Sequence, residues 1–475
     1  MDAILKAVRA YFSDFKVLRE TRREFWGLQV INMLDCLAYF AMLNVVVVVL
    51  SADFGFSDTN AGYVVTAFGS LTTILLVVSG PVCDWLGVKK ATWGTMLGLL
   101  LTRGGALFAA YMAEGVARSV VVVVSLVLMA PSMAMIQTVF QAGTRRFTTE
   151  RSQGAGFNLW YLFMNIGAAG GGFAIDLIYK TMGLPRFHVF TLGIITAVLC
   201  IIATALMIKR TEQLSSESGG GKVTTEAPPE KSGKGPFEIL KEVASDRTFW
   251  RFLIFMLLII GVRSVFIYMS LLYPKFWLRM IGDDASIGVL QALNPVLVII
   301  GLIVFIPLLH RFKLFTMLTV GAMITSVALF FTAFPPVPGQ DIVSFTYWTS
   351  LGFILMLTIG ELIWSPRLSQ FTAAIAPKGQ EGTYLGLSMV PYFAAKTVVG
   401  LFSGHMLERW CPEFPEGEPI MGARIAAGQI TYWDSPYVMF LILGLVALVG
   451  TTIVILKRKW FTASMKDPGQ VAAGH

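Results

Sequence analysis

Charge is nearly absent from long stretches of this chain, and that absence decides what it can fold into. Runs of about twenty apolar residues recur between short polar connections, each long enough at about 1.5 Å per residue to cross about 30 Å of hydrocarbon. Only 14% of the 475 residues are charged, where a soluble chain has about a quarter. So few charged groups cannot cover a water-facing surface, and lipid is the solvent that removes the need. The expected fold class is all-α: a polytopic membrane protein of twelve transmembrane helices.

The twelve expected spans fall in two sets of six. The first set is 26–49, 60–79, 91–113, 119–142, 154–178 and 188–208. The second is 249–274, 286–308, 314–334, 345–373, 383–407 and 435–456. Between them, Lys209 to Arg247 contains SSESGGGKVTTEAPPEKSGKG, which reads as a flexible linker because it offers almost nothing to bury. The following FEILKEVASD can form a short interfacial helix. The chain therefore divides into a segment 1–25, a six-helix bundle 26–208, a linker 209–247, a second six-helix bundle 248–456 and a tail 457–475.

Basic residues set the expected orientation. Lys6, Arg9, Lys16, Arg19, Arg22 and Arg23, then Lys89, Lys90, Arg145, Arg146, Arg151, Arg311, Lys313, Lys378, Lys457, Arg458 and Lys459, all fall on one side. The opposite loops hold few: Arg118, Lys180, Arg186, Lys275, Arg279, Arg409 and Arg424. Both termini and the linker are expected to be cytoplasmic, in a cell (inner) membrane, with a monomer as the unit. Met1 to Arg23 is charged and amphipathic, so the first span is expected to serve as its own insertion signal. The net charge of +8 lies between spans, with no aromatic-studded basic stripe, so no nucleic-acid partner is expected. Cys36 and Cys200 fall inside spans, Cys83 in a short loop and Cys411 in the longer outer loop 408–434, which implies no disulfide framework. There is no Ser/His/Asp set or metal-ligand cluster to suggest an enzyme, and no cofactor or metal is expected.

Six spans, a cytoplasmic linker and six spans is the pattern of a two-bundle transporter; a receptor or a membrane enzyme with an even span count is the alternative. Between spans 2 and 3 lies GPVCDWLGVKKA. Gly80, Asp84, Gly87, Lys89 and Lys90 resemble the short cytoplasmic motif of the major facilitator superfamily, with Trp85 where an arginine is usual. Asp84 can cap a helix end or pair with a neighbouring cation, and so latch one face of a rocking transporter. A helix cap beside a positive-inside cluster is the plainer reading.

Five ionisable residues lie near span centres: Asp35, Arg103, Arg263, Glu361 and Lys396. Each would cost about 2.5–3.5 kcal/mol facing lipid, so they must meet a shared polar cavity or one another. Other polar residues share helix faces: Asn32, Asp35 and Tyr39 on span 1; Gln137 and Gln141 on span 4; Asn158, Tyr161 and Asn165 on span 5; Gln291 and Asn294 on span 8, where Pro295 frees a backbone carbonyl. They can line an aqueous path, or each can make an interhelical hydrogen bond worth about 1 kcal/mol.

Three further segments narrow the resemblance. WYLFMNIG (Trp160 to Gly167), LNPVLVIIGLIVFIP (Leu293 to Pro307) and GELIWSP (Gly360 to Pro366) are similar in order and spacing to signatures of the proton-dependent oligopeptide transporter family. The resemblance implies that Glu361 binds a peptide's amino terminus, and a buried carboxylate facing an ammonium is sound chemistry. The chain also departs from the family. NMLDCLAYF (Asn32 to Phe40) has Asn32 in place of the first glutamate and Cys36 in place of the arginine of the span 1 signature, and Met135 stands where span 4 carries a lysine. The expectation is a divergent member moving a small zwitterionic or anionic solute, such as a di- or tripeptide, with protons. Asp35 and Glu361 are the expected coupling groups. The expected solute contacts are Asn32, Tyr39, Arg103, Gln137, Trp160, Tyr161, Asn165, Arg263, Gln291, Asn294, Glu361 and Lys396. A facilitator or exporter of another amphipathic solute, and a receptor without transport, are the alternatives.

Overall fold

The computed structural model describes residues 15–149, 152–209, 213–216, 223–226, 245, 247–304, 314–337, 339–375, 390–415 and 417–462. All but Ser245 of the expected helix over Phe237 to Asp246, together with Lys378 and the second proline of span 8, Pro307, lie outside the described residues.

A helix occupies each of the twelve expected positions. In the first bundle these are Arg23–Leu43 (continued by Val46–Ala52), Asp58–Leu86, Val88–Ala110, Val116–Leu128 with Ala130–Arg146, Gln153–Asp176 and Val189–Met207. In the second they are Arg247–Leu258 with Ile260–Leu271, Ile287–Val304, Leu314–Ala328, Ile342–Ile375, Val390–Trp410 and Pro436–Leu456. We number them spans 1 to 12. Nine of the described helices are long and apolar enough by composition to cross a membrane. Spans 2 and 11 pack closely on each other.

Proline and glycine set the breaks. Pro131 opens the second segment of span 4 and Pro274 opens Tyr273–Ile281, a short helix that prolongs span 7. Pro295 sits inside span 8. The stretch expected to be a loop after span 2 is instead helical to Leu86, so Cys83 is a buried helix residue. Gly87, at φ +75°, makes the whole turn into span 3, a conformation that a residue with a Cβ adopts only at a cost. Gly80 and Asp84 therefore ride on the last turns of span 2, with Lys89 and Lys90 in the first turn of span 3; the side chains of Gly80 and Asp84 are outside the described set.

The linker is also less plain than its composition suggests. Gln213–Ser216 pairs antiparallel with Val223–Glu226. Such a ladder joins backbone to backbone, so a stretch with little to bury can still form it, although a lone hairpin is marginally stable. Before span 1, Phe15–Glu20 makes a 3-10 turn whose Leu18 is fully buried. Phe15 of that turn packs with Tyr161 and Ile303 against Val298, Leu302 and Leu362.

Two helix pairs join the bundles: span 2 with span 11, and span 5 with span 8. Twelve crossings bring the ends of spans 1 and 12 to one face, the near side; the opposite face is the far side. A Cβ on Gly62 would run into the carbonyl of Gly400, so spans 2 and 11 touch backbone to backbone in their far-side halves.

Candidate functional site

Midway through the molecule, Glu361 of span 10 is held from both bundles. The Tyr161 hydroxyl of span 5 donates to Oε1 at 3.0 Å, and Asn294 Nδ2 of span 8 donates to Oε2 at 3.1 Å. Asn294 also reaches Thr358 Oγ1 at 2.9 Å, one turn before Glu361. Arg263 of span 7 lays its guanidinium 4.6 Å from the ring centre of Trp364, one turn after Glu361, and acts electrostatically on both Glu361 and Tyr161. Glu361, Tyr161, Asn294 and Arg263 are all half-buried, whereas Trp364 and Thr358 are sealed. Deep groups that keep some open surface are what the wall of a solute chamber would need. A carboxylate offers about four lone-pair directions, so Glu361 can accept an ammonium without releasing Tyr161 or Asn294.

The other mid-span charges are placed differently. Asp35 and Arg103 are each 2% exposed, and Arg103 Nη2 meets Asp35 Oδ1 at 2.9 Å. Arg103 Nη1 also donates to the Gly193 carbonyl at 3.1 Å, so the pair ties spans 1, 3 and 6 together inside the first bundle, apart from Glu361. Lys396 is 4% exposed and donates to the Tyr39 hydroxyl at 2.6 Å, across the seam between spans 11 and 1.

Several residues expected to line a solute path make bonds of construction. Asn32 donates to the Trp160 carbonyl at 3.0 Å and takes the Cys36 thiol on its oxygen at 3.5 Å. Asn165 donates to the Tyr161 carbonyl at 2.9 Å, and Gln291 to the Met269 carbonyl at 2.6 Å. Trp160 is half-buried on span 5 with Tyr161. Gln137 is half-buried on span 4 and, among the described residues, is not joined to the Glu361 set.

The far side carries a second constellation, built from charges at the ends of spans 2 and 7. Asp58, the first residue of span 2, receives Lys275 and, at 2.7 Å, Arg279, both from the short helix after span 7. All three are buried. Lys275 also reaches Ser51, while Arg279 bonds the Cys411 carbonyl at 2.6 Å and Glu413 at 2.9 Å. Burial pushes the Lys275 ammonium below the ordinary lysine value, and Asp58 pulls back against that. The signal in the sequence was Lys275 and Arg279 four residues apart, one face of a helix opened by Pro274.

Further far-side contacts join the same bundles. His405 bridges Tyr63 and Thr59, and Glu408 accepts from the Thr59 amide. Arg186 stacks on Tyr179 at 3.5 Å and faces Asp283 at 3.7 Å, and Lys180 donates to the Asp284 carbonyl at 2.6 Å. Asp176 at the end of span 5 accepts from the Gly288 and Val289 amides that begin span 8, at 3.0 and 2.8 Å. The far side is thus latched at both interbundle seams.

The sequence profile of the Major Facilitator Superfamily matches residues 30–400. No curated protein matches by sequence. Among solved structures, the POT family transporter PepTSo superposes with a TM-score of 0.70 at 14% identity, over 93% of this chain and 98% of that one. A POT family transporter in complex with 5-aminolevulinic acid gives 0.68 at 14% identity, over 93% and 97%. A mutant of the peptide transporter POT in complex with alafosfalin gives 0.68 at 16% identity, over 94% and 96%. At such identities the likeness is one of fold.

Proposed function

The chain belongs to the major facilitator superfamily, and on that premise we propose that this transporter carries small zwitterionic solutes of the peptide class, coupled to protons, by alternating access. The observation that carries the reading is Glu361, an acid half-open to a central chamber and gripped by Tyr161 of one bundle and Asn294 of the other. A carboxylate at that seam attracts an ammonium group and can exchange it for a proton. Its two partners lie on helices that move relative to each other when the bundles rock. Arg263, half-buried, lies over the sealed Trp364 one turn along span 10. Solved relatives of the same fold support the reading, since one is described with 5-aminolevulinic acid, itself a small zwitterion.

In this reading the termini are cytoplasmic, the latched far side faces out, and the captured state is open toward the cytoplasm. The Asp58, Lys275 and Arg279 cluster holds the outer side shut, and the Gly80, Asp84, Gly87, Lys89 and Lys90 motif serves the opposite side. Glu361 takes the proton-coupling role. Asp35, expected to share it, serves the first bundle as the partner of Arg103.

The test is pH-driven uptake into proteoliposomes. Glu361→Gln is expected to lower uptake of a zwitterionic solute by about 100-fold, the equivalent of about 2.7 kcal/mol. Uptake that survives the substitution intact, pH dependence included, overturns the assignment.

A further inference from the structure

Spans 5 and 8 meet differently at their two ends. On the far side, a Cβ on Gly172 of span 5 would stand 2.7 Å from the Ala292 amide and 2.8 Å from the Gly288 carbonyl, so the helices lie backbone to backbone. Asp176 then closes that end on the Gly288 and Val289 amides. Toward the near side a third element enters. The turn Phe15–Glu20 packs on span 5, and its Phe15 packs against the cluster formed by Val298 and Leu302 of span 8 and Leu362 of span 10. Tyr161 of span 5 lies against the same cluster. Val298 follows Asn294 by one turn and Leu362 follows Glu361 directly, so Phe15 sits just to the near side of the Glu361 set.

We infer that this turn is a doorstop: Phe15 lodges between the bundles below the Glu361 set, and the far side stays latched until it withdraws. The inference rests on the reading of the chain as a rocking transporter and adds a regulation to it.

When two bundles rock about a central site, the far-side ends part only as the near-side ends approach. A packed interior does not compress, so an aromatic ring held between the near-side halves blocks that approach. The turn is built to carry such a ring. Leu18 is fully buried and anchors it, and the Thr21 hydroxyl closes it on the Leu18 carbonyl at 2.6 Å. Only Thr21 and Arg22 separate it from span 1, and Arg22 is extended, so the turn travels with the first bundle. Phe15, in contrast to Leu18, is half-buried and reaches the second bundle. Leu18 is therefore the fixed end and Phe15 the end that can leave.

The test reads far-side opening without any solute. Purified full-length protein carrying Thr66→Cys is labelled with a maleimide, with Phe15 kept or replaced by tryptophan, leucine or alanine. The four native cysteines, all buried, report any general loosening. Labelling at position 66 is expected to speed up as bulk at position 15 falls: slowest in Phe15→Trp, and about 10-fold faster in Phe15→Ala than with Phe15 kept. Lys16→Gln, at an exposed position of the same turn, is expected to leave the rate unchanged. A rate that ignores bulk at position 15, one that responds to Lys16→Gln as strongly, or a gain matched by labelling of the buried native thiols overturns the inference. Phe15→Trp and Phe15→Leu decide it even if Phe15→Ala does not fold. The readout is independent of the solute site: if Glu361→Gln leaves uptake intact, the assignment of Glu361 falls and the doorstop stands.

Discussion

The two bundles treat charge in opposite ways. In the first, the mid-membrane acid and base find each other: Asp35 and Arg103 pair at 2.9 Å, both sealed, and bind three helices of the same bundle together. In the second, Glu361 keeps open surface and meets a hydroxyl from the other bundle, while the half-buried Arg263 lies over Trp364 of its own bundle. Equal insertion cost therefore has two remedies. A closed pair makes a scaffold, while an acid half-satisfied across a moving seam makes a site. Under the proposed function, the chemistry of transport would lie in the second bundle, with the first rocking over it.

Four experiments bear on that contrast. The largest expected effect is on Asp35. Asp35→Asn alone leaves Arg103 buried with a partner it cannot neutralise, and should cost about 3–5 kcal/mol of stability in denaturant unfolding, whereas adding Arg103→Met should recover most of it. If the single substitution is harmless to folding but abolishes proton-driven uptake, the scaffold assignment is wrong. Next, Glu361→Gln should unfold within about 1 kcal/mol of the parent, since an amide oxygen still accepts a hydrogen bond, even as uptake collapses. A large loss of stability would make Glu361 a structural acid too. Third, Gly62→Val forces side-chain atoms into the Gly400 carbonyl and should favour the parted far side by about 1–3 kcal/mol. The readout is faster maleimide labelling of Thr66→Cys from that side; unchanged labelling would show that the seam does not open there.

The smallest effect concerns pH. Burial lowers the Lys275 pKa in the latched state; once the latch opens, the group should return toward about 10.4. Between those values the open state binds more protons than the latched one, so the latched state gains stability as pH rises through that window. Far-side labelling should therefore slow in alkaline buffer, and Lys275→Met should remove the dependence.

The architecture was legible because hydrophobic length is a local property. Each span announces itself within about twenty residues, and all twelve expected positions hold a helix. Glu361 stands out in the sequence for a related reason, being a charge where charge is costly. Pairing was not legible. Asp35 and Arg103 stand 68 residues apart, and nothing along the chain says that they meet while Glu361 is held instead by Tyr161 and Asn294. The far-side cluster was hidden by its setting, because Lys275, Arg279 and Asp58 read as ordinary loop charges until the short helix after span 7 swings two of them onto the third. The turn before span 3 needed one residue where a loop was expected, because Gly87 alone can take its backbone angle.

Asp176 has a consequence for any parting of the two bundles on the far side. Its carboxylate serves two first-turn amides of a helix that belongs to the opposite half of the molecule. Parting the halves strips that helix of its acceptor, and hydrocarbon offers no substitute, so solvent must arrive as the gap appears. Water is then a reactant of the opening step. Sugars that lower its activity should slow the door without touching the solute chamber.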